Sequence, residues 1–213
     1  FLIVARIIVS MSSPSGNASS IILTGIKPTG MPHIGNYLGA IKPALALADT
    51  SIGSTAYYFI ADYHALTTLK DPQLLRSYTQ QVAATWLALG LDPSKVVFYK
   101  QSDIPEIFEL AWILSCFSPK GLLNRAHAYK SLVDDNIETK RDPDKGINLG
   151  LFSYPVLMAA DIISFQCQRV PVGQDQKQHI EIVRDIAQAF NQTYGDTLVV
   201  PEPDIQKEVM VIP

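Results

Sequence analysis

Short apolar runs bounded by turn residues alternate with longer helical patterns along this chain. Ile21–Leu23, Tyr57–Ala61, Val96–Tyr99 and Leu198–Val200 read as buried parallel strands, with Val170–Val172 a weaker case. Asp71-Pro72 opens a helix with an N-cap and a proline at the first helical position, and the pattern runs through Trp86-Leu87 to a stop at Gly90. Pro105 opens another helix that ends near Phe117. The clearest helix is Gln176 to Asn191: Ile182, Val183, Ile186, Ala187 and Phe190 form one stripe, while Glu181, Arg184, Asp185 and Gln188 lie elsewhere. Asp175 with Gln178 three residues on is a capping-box pattern. This order predicts an α/β fold, a doubly wound parallel sheet of Rossmann-like type. Ligands in such sheets bind beyond the carboxyl ends of the strands, where the strand order reverses.

One junction stands out. IILTGIKPTGMPHIGNYLGA, Ile21 to Ala40, reads as a strand, a Gly- and Pro-rich loop, and a histidine at the mouth of a helix. Gly25, Gly30, Gly35 and Gly39 fall where bulky side chains would block a ligand. Free backbone N–H groups and a helix start suit a nucleotide phosphate. The loop is not G-x-G-x-x-G, which argues against a hydride-transfer dinucleotide protein. In contrast, SLVDDNIETKRDPDKG (Ser131 to Gly146) is charged, carries Pro and Gly, and reads as a mobile loop.

Composition narrows the picture modestly. The 213 residues, 47% hydrophobic and 17% charged, suffice for one large domain. A net charge of −3 does not advertise a nucleic-acid surface, although a local patch can act within a Debye length. Cys116 and Cys167 stand far apart, in no zinc or iron–sulfur spacing, and a cytoplasmic setting is the default. The opening FLIVARIIVS is too short to span a bilayer and is broken by Arg6. It has the look of a signal-peptide core but lacks a cleavage site. Met11 is the expected natural start, with residues 1–20 as a flexible N-terminal extension.

His33-Ile34-Gly35-Asn36 resembles the His-Ile-Gly-His signature of the class I aminoacyl-tRNA synthetases. FIADYHALT (Phe59 to Thr67) and MAADIISFQCQRVPVGQDQKQHIEIVRDIAQAFN (Met158 to Asn191) are similar to the tryptophanyl members in particular. The resemblance covers Ile21 to the last residue. It implies a catalytic domain over 21–213 with a helical insertion at about 105–152 that helps form a homodimer interface. It also implies that a Lys-Met-Ser-Lys-Ser loop and a helical anticodon-binding domain belong beyond Pro213, so that the chain is cut short at its C-terminus.

The implied reaction joins the carboxylate of L-tryptophan to the α-phosphate of ATP, expels pyrophosphate, and passes the aminoacyl group to tRNA(Trp). The carboxylate is already ionised at neutral pH, so the first step needs alignment and positive charge rather than a general base. By resemblance, Lys27, Pro28 and Thr29 line the ATP site, His33 and Asn36 act on the phosphates, and Gly35 lets the nucleotide lie against the backbone. Gly173, Gln174 and Asp175 meet the ATP ribose and adenine, and Asp175 reads equally as an N-cap. Mg²⁺ arrives with ATP, and no protein-bound metal is expected.

Asp161 is the specificity residue: it sits in an apolar run, where an unpaired carboxylate is costly, and by resemblance accepts a hydrogen bond from the indole N–H. The other reading is an aspartate paired with a neighbouring cation. Met158 and Ile162 pack the ring, Gly25 lines the pocket, Gln176 reaches the ammonium or carboxylate, and Tyr154 and His64 orient the substrate. His64 reads equally as a satisfied residue at a strand end. His127 and Lys130 are weaker candidates, and His179 reads as structural. The tyrosine enzyme of the same class and a non-catalytic binding module are the alternatives. Neither a membrane nor DNA is an expected partner.

Overall fold

The structure is a computed structural model that describes residues 21–50, 55–173 and 176–205. β1 (Ile21–Ile26) leads into a short helix, α1 (Ile34–Asn36), which runs through a π turn (Tyr37–Ile41) into α2 (Lys42–Thr50). β2 (Thr55–Ile60), α3 (Asp62–Ala65), α4 (Pro72–Ala88) and β3 (Val97–Lys100) complete the first half. A 3-10 turn (Gln101–Asp103) precedes the helices α5 (Glu106–Ser115), α6 (Lys120–Leu123), α7 (His127–Glu138) and α8 (Leu149–Ile163). β4 (Arg169–Val172), α9 (Lys177–Tyr194) and β5 (Glu202–Ile205) follow.

All strand pairs are parallel. β2 lies between β1 and β3 in register Gly25↔Phe59 and Phe59↔Tyr99, and β4 pairs with β5. β1 packs beside β4, and the buried Cys167 thiol donates to Ile21 O (3.2 Å) across that seam. Burial pushes this thiol up to about 12, so it stays protonated as a donor. The chain therefore builds outward from β1 in one direction, through β2 and β3. It then crosses back to build β4 and β5 on the other side.

The strand alternation sorts side chains to two faces. Ala56, Tyr58 and Ile60 pack with Ile41 and Ala44 of the first helical stretch and Val82 and Trp86 of α4. Phe59 and Ala61 pack with Ile107, Leu110 and Leu114 of α5 and with buried residues of α8 and α9. Helices cover both faces, as a doubly wound sheet requires. Asp71 caps α4 by accepting from Gln73 N and Leu74 N (2.8 and 3.0 Å), and Gly90 beyond its end takes φ +100°.

Two sequence expectations change. Leu198–Val200 is not a strand: Asn191 accepts from Thr197 N and Leu198 N and donates to Leu198 O, which holds that run as a cap on α9. The strand comes later, at Glu202–Ile205, and its proline is tolerated because β5 has only one partner among the described residues. Ser131–Gly146 is not a loop throughout, because α7 runs to Glu138. Buried Asn136 donates to Pro143 O and Lys145 O (3.1 and 2.8 Å), folding the turn back onto the helix. Gln178 donates to Arg125 O (3.2 Å), and the Asp175 half of the expected capping box lies outside the described residues. The N-terminal extension also lies outside them.

Candidate active site

The carboxyl ends of β1 and β4 flank a cavity of about 550 Å³. This is the reversal point of the strand order, where the fold leaves a crevice. Gly25 and Lys27 from β1 and its exit, Val172 after β4, and Met158 and Ile162 from α8 are among its lining residues. Gly25 is required there by packing: a Cβ would come within 2.4 Å of the Phe59 ring. Lys27 stands at the mouth, where desolvation pulls its ammonium below the ordinary lysine value.

Asp161 reaches the cavity from α8 and is only 1% exposed. It is not unpaired. His64 Nε2 lies 2.8 Å from Oδ2, and Gln101 Nε2 lies 2.8 Å from Oδ1 and 3.0 Å from Oδ2. Burial pushes the carboxyl above its usual range, and the His64 and Gln101 hydrogen bonds pull it back. A carboxylate accepts only, so His64 carries its proton on Nε2 when it meets the ionised form. A carboxylate has about four acceptor sites, and three contacts leave room for one further donor.

The elements that hold this floor come from distant parts of the sequence. α3 follows β2 directly, which puts His64 beside the sheet end. Asn148 caps α8 by accepting from Leu151 N (2.9 Å) and ties it to the α3 segment by donating to Thr67 O (2.9 Å). Tyr154, also on α8, meets His179 Nε2 at 2.6 Å, and burial raises its hydroxyl above the ordinary tyrosine value. This engages the hydroxyl expected to orient the substrate. His179, expected to be structural, is buried and lines the cavity.

The first loop is arranged differently. Pro28 is buried, whereas Thr29, His33 and Gly35 are exposed and do not line the main cavity. Gly35 N donates to His33 Nδ1 (3.1 Å), and His33 N donates to Asn36 Oδ1 (3.0 Å). An accepting Nδ1 fixes the proton on Nε2, so the outward edge of the ring is a donor. A Cβ at Gly35 would come within 2.9 Å of the His33 ring, so this glycine makes room for the histidine. Gly173 follows β4 at the same sheet end, and Gln176 precedes α9 and lines the cavity. Gln174 lies outside the described residues, as Asp175 does. Exposed His127 and Lys130 on α7 do not line the cavity.

Sequence reasoning missed Gln101. It is fully buried and follows the last residue of a parallel strand, a place where such folds put ligand-side residues. That position was the available signal. Among the described residues, no group of three or more His, Cys, Asp or Glu could hold a metal ion, and no helix is long and apolar enough to cross a membrane.

A strand–loop–histidine junction and a carboxylate-floored cavity at one switch point define a doubly wound α/β protein with a ligand crevice. Residues 15–211 match the family of class I tRNA synthetases (W and Y), and the chain belongs to that family. It is 56% identical over 195 residues to the tryptophan–tRNA ligase of Pseudomonas putida, covering 90% of this chain and 43% of that relative. It is 57% identical over 193 residues to the tryptophan–tRNA ligase of Bordetella pertussis, with the same coverage. Among solved structures, tryptophanyl-tRNA synthetase from Campylobacter jejuni complexed with ADP and tryptophan superposes with TM-score 0.78 at 47% identity, over 90% of this chain and 56% of that one. The chain thus spans less than half the length of the curated relatives it matches.

Proposed function

We propose that this chain carries the amino-acid and nucleotide sites of a tryptophan–tRNA ligase. The observation that carries the reading is Asp161, a buried carboxylate with spare acceptor capacity on the wall of a cavity of about 550 Å³. An indole offers one N–H on an otherwise apolar body, which matches one acceptor among Met158, Ile162 and Gly25. A phenyl ring would leave the acceptor unmatched, so rejection exceeds the value of the hydrogen bond alone. Family membership and the relatives' tryptophan–tRNA ligase activity support the same choice.

In this reading a carboxylate oxygen of tryptophan attacks the α-phosphorus of ATP. The new O–P bond replaces the bond to pyrophosphate, which leaves with its electron pair. A terminal ribose hydroxyl of tRNA(Trp) then attacks the carbonyl carbon and releases AMP. His64 holds Asp161, Tyr154 and Gln176 shape the amino-acid end, and Lys27 supplies positive charge near the reacting carboxylate. Pro28 and Thr29 flank the phosphates, and His33 Nε2–H donates to a phosphoryl oxygen. Asn36 holds the loop through its contact with His33 N. Gly35, Gly173, Gln174 and Asp175 meet the nucleotide, and Mg²⁺ comes with ATP. Most of the catalysis is positioning and electrostatics.

Tryptophan-dependent ATP–pyrophosphate exchange by the full-length protein tests the assignment. Exchange supported by tyrosine alone would overturn it. In the same reading, residues 21–213 form the catalytic domain, the helical segment at about 105–152 is an insertion, and the protein works in the cytoplasm as a homodimer. Trp112 on α5, 74% exposed with Phe108 and Leu66 near it around a second cavity, supports an apolar pairing face. Trp112→Glu is expected to shift full-length protein from dimer to monomer in sedimentation velocity, and an unchanged dimer would place the interface elsewhere.

A further inference from the structure

We propose that Gln101 is the positioning residue behind tryptophan selectivity: it fixes the rotamer of Asp161 so that Oδ1 is the oxygen that meets the indole N–H. This rests on the assignment of Asp161 to the indole.

The geometry leaves Gln101 one amide orientation. Its Oε1 accepts from Tyr63 N (3.2 Å) and His64 N (3.3 Å), the donors at the start of α3. Helix-start N–H groups lack partners within their own helix, so an oxygen must face them. The Gln101 NH₂ is thereby turned to Asp161, where it reaches both carboxylate oxygens. Asp62 Oδ1 locks the same corner by accepting from Ser102 N (3.0 Å) and Tyr63 N (3.1 Å). One fully buried amide therefore fixes two things at once: the α3 backbone that carries His64, and the carboxylate that His64 also holds.

The two carboxylate oxygens are not equivalent. Oδ2 receives His64 Nε2 and shares Gln101 Nε2, whereas Oδ1 receives Gln101 alone. The spare acceptor capacity is on Oδ1. Without Gln101, His64 would hold the carboxylate by one oxygen only, and the group could turn about that bond. The site would keep its charge and lose its aim.

The test compares L-tryptophan with β-(3-benzothienyl)alanine, in which sulfur replaces the indole N–H. Binding of each is measured by calorimetry on the full chain carrying Gln101→Met, Gln101→Glu or Asp161→Asn. Methionine keeps the volume and removes every amide bond. Glutamate keeps an acceptor for the Tyr63 and His64 amides and sets a second carboxyl against Asp161, so that the two share a proton in place of the amide's two-oxygen grip. Both Gln101 variants are expected to bind tryptophan about tenfold more weakly, the scale of one hydrogen bond to a charged group, with the analogue changed by less than about twofold. If Gln101→Met does not fold, as judged by circular dichroism, Gln101→Glu decides. Equal losses for both ligands, or no loss for either, would overturn the proposal. Asp161→Asn separates the two ideas. If it leaves the preference for tryptophan intact, the indole assignment itself fails. If it abolishes the preference while the Gln101 variants keep it, only the role of Gln101 fails.

Discussion

The two halves of the site are built by opposite means. The first loop is exposed and held by hydrogen bonds between residues two and three positions apart, Gly35 to His33 and His33 to Asn36. The cavity floor is buried and held by contacts that cross 37, 60 and 97 residues of sequence, between Gln101, Asp161 and His64. The loop is a local motif that the sheet end merely displays. The floor exists only once the sheet, α3 and α8 have assembled. Damage to the floor should therefore appear in ligand affinity and stability together, and damage to the loop mainly in rate, with a small loss of stability where the cap is removed.

The largest expected effect lies at the floor. Asp161→Asn keeps the shape but removes the charge and gives one position a donor where all three contacts need an acceptor. A hydrogen bond to a charged group contributes about 1.5–3 kcal/mol, so tryptophan affinity should fall about 10- to 100-fold. ATP affinity should stay within about twofold. Calorimetric titration of both ligands checks this, and equal losses would make Asp161 a structural residue rather than a reader of the indole.

A smaller effect is expected in the loop, and it can be split in two. His33→Ala removes the cap that accepts from Gly35 N as well as the outward Nε2 donor. Losing an N-cap costs about 1 kcal/mol, and losing one phosphate donor should slow pyrophosphate exchange about tenfold in the full-length protein. His33→Asn restores a good cap and not the donor at that reach. It should recover the melting temperature and leave the rate low. A rate that recovers with stability would reduce His33 to a helix cap.

The same contrast explains what was legible beforehand. The strand–glycine loop–helix junction was readable because its loop constraints are local: Gly35 sits where a Cβ would strike His33 two residues away. The apolar stripe of α9 was readable because Ile182, Val183, Ile186, Ala187 and Phe190 repeat at the helical period, and all five are buried. Asp161 was visible as an acidic residue in an apolar run, but its partners were not. Nothing adjacent in sequence links it to Gln101 on the far side of the helices α5 to α8. The β5 expectation failed for a related reason. Leu198–Val200 is the more apolar run, yet Asn191 ties it to the end of α9, and the polar Glu202–Ile205 takes the place beside β4. Apolar patterning reports burial, and a short half-buried run is compatible with a cap as well as a strand.

The smallest expected effect, the pH dependence of the floor, asks which force controls Asp161. Burial raises its pKa above the ordinary carboxylate value of 3.8, against the pull of His64 and Gln101. A carboxyl whose pKa rises on folding binds more protons folded than unfolded, so its contribution to stability is largest below the unfolded pKa. That contribution declines as pH rises through the folded pKa and is level beyond it. Asparagine does not titrate. The melting temperature of the unaltered protein minus that of Asp161→Asn should therefore fall as pH rises from the unfolded value through the folded one. A difference that rises instead would mean that the hydrogen bonds outweigh burial. In the proposed assignment tryptophan adds a third donor, which favours the ionised carboxylate and draws the pKa down. By linkage, tryptophan binding must strengthen with pH over the same window in the unaltered protein and stay level in Asp161→Asn. Such a slope in tryptophan affinity, absent for the benzothienyl analogue, would tie the titration to the indole N–H rather than to the fold.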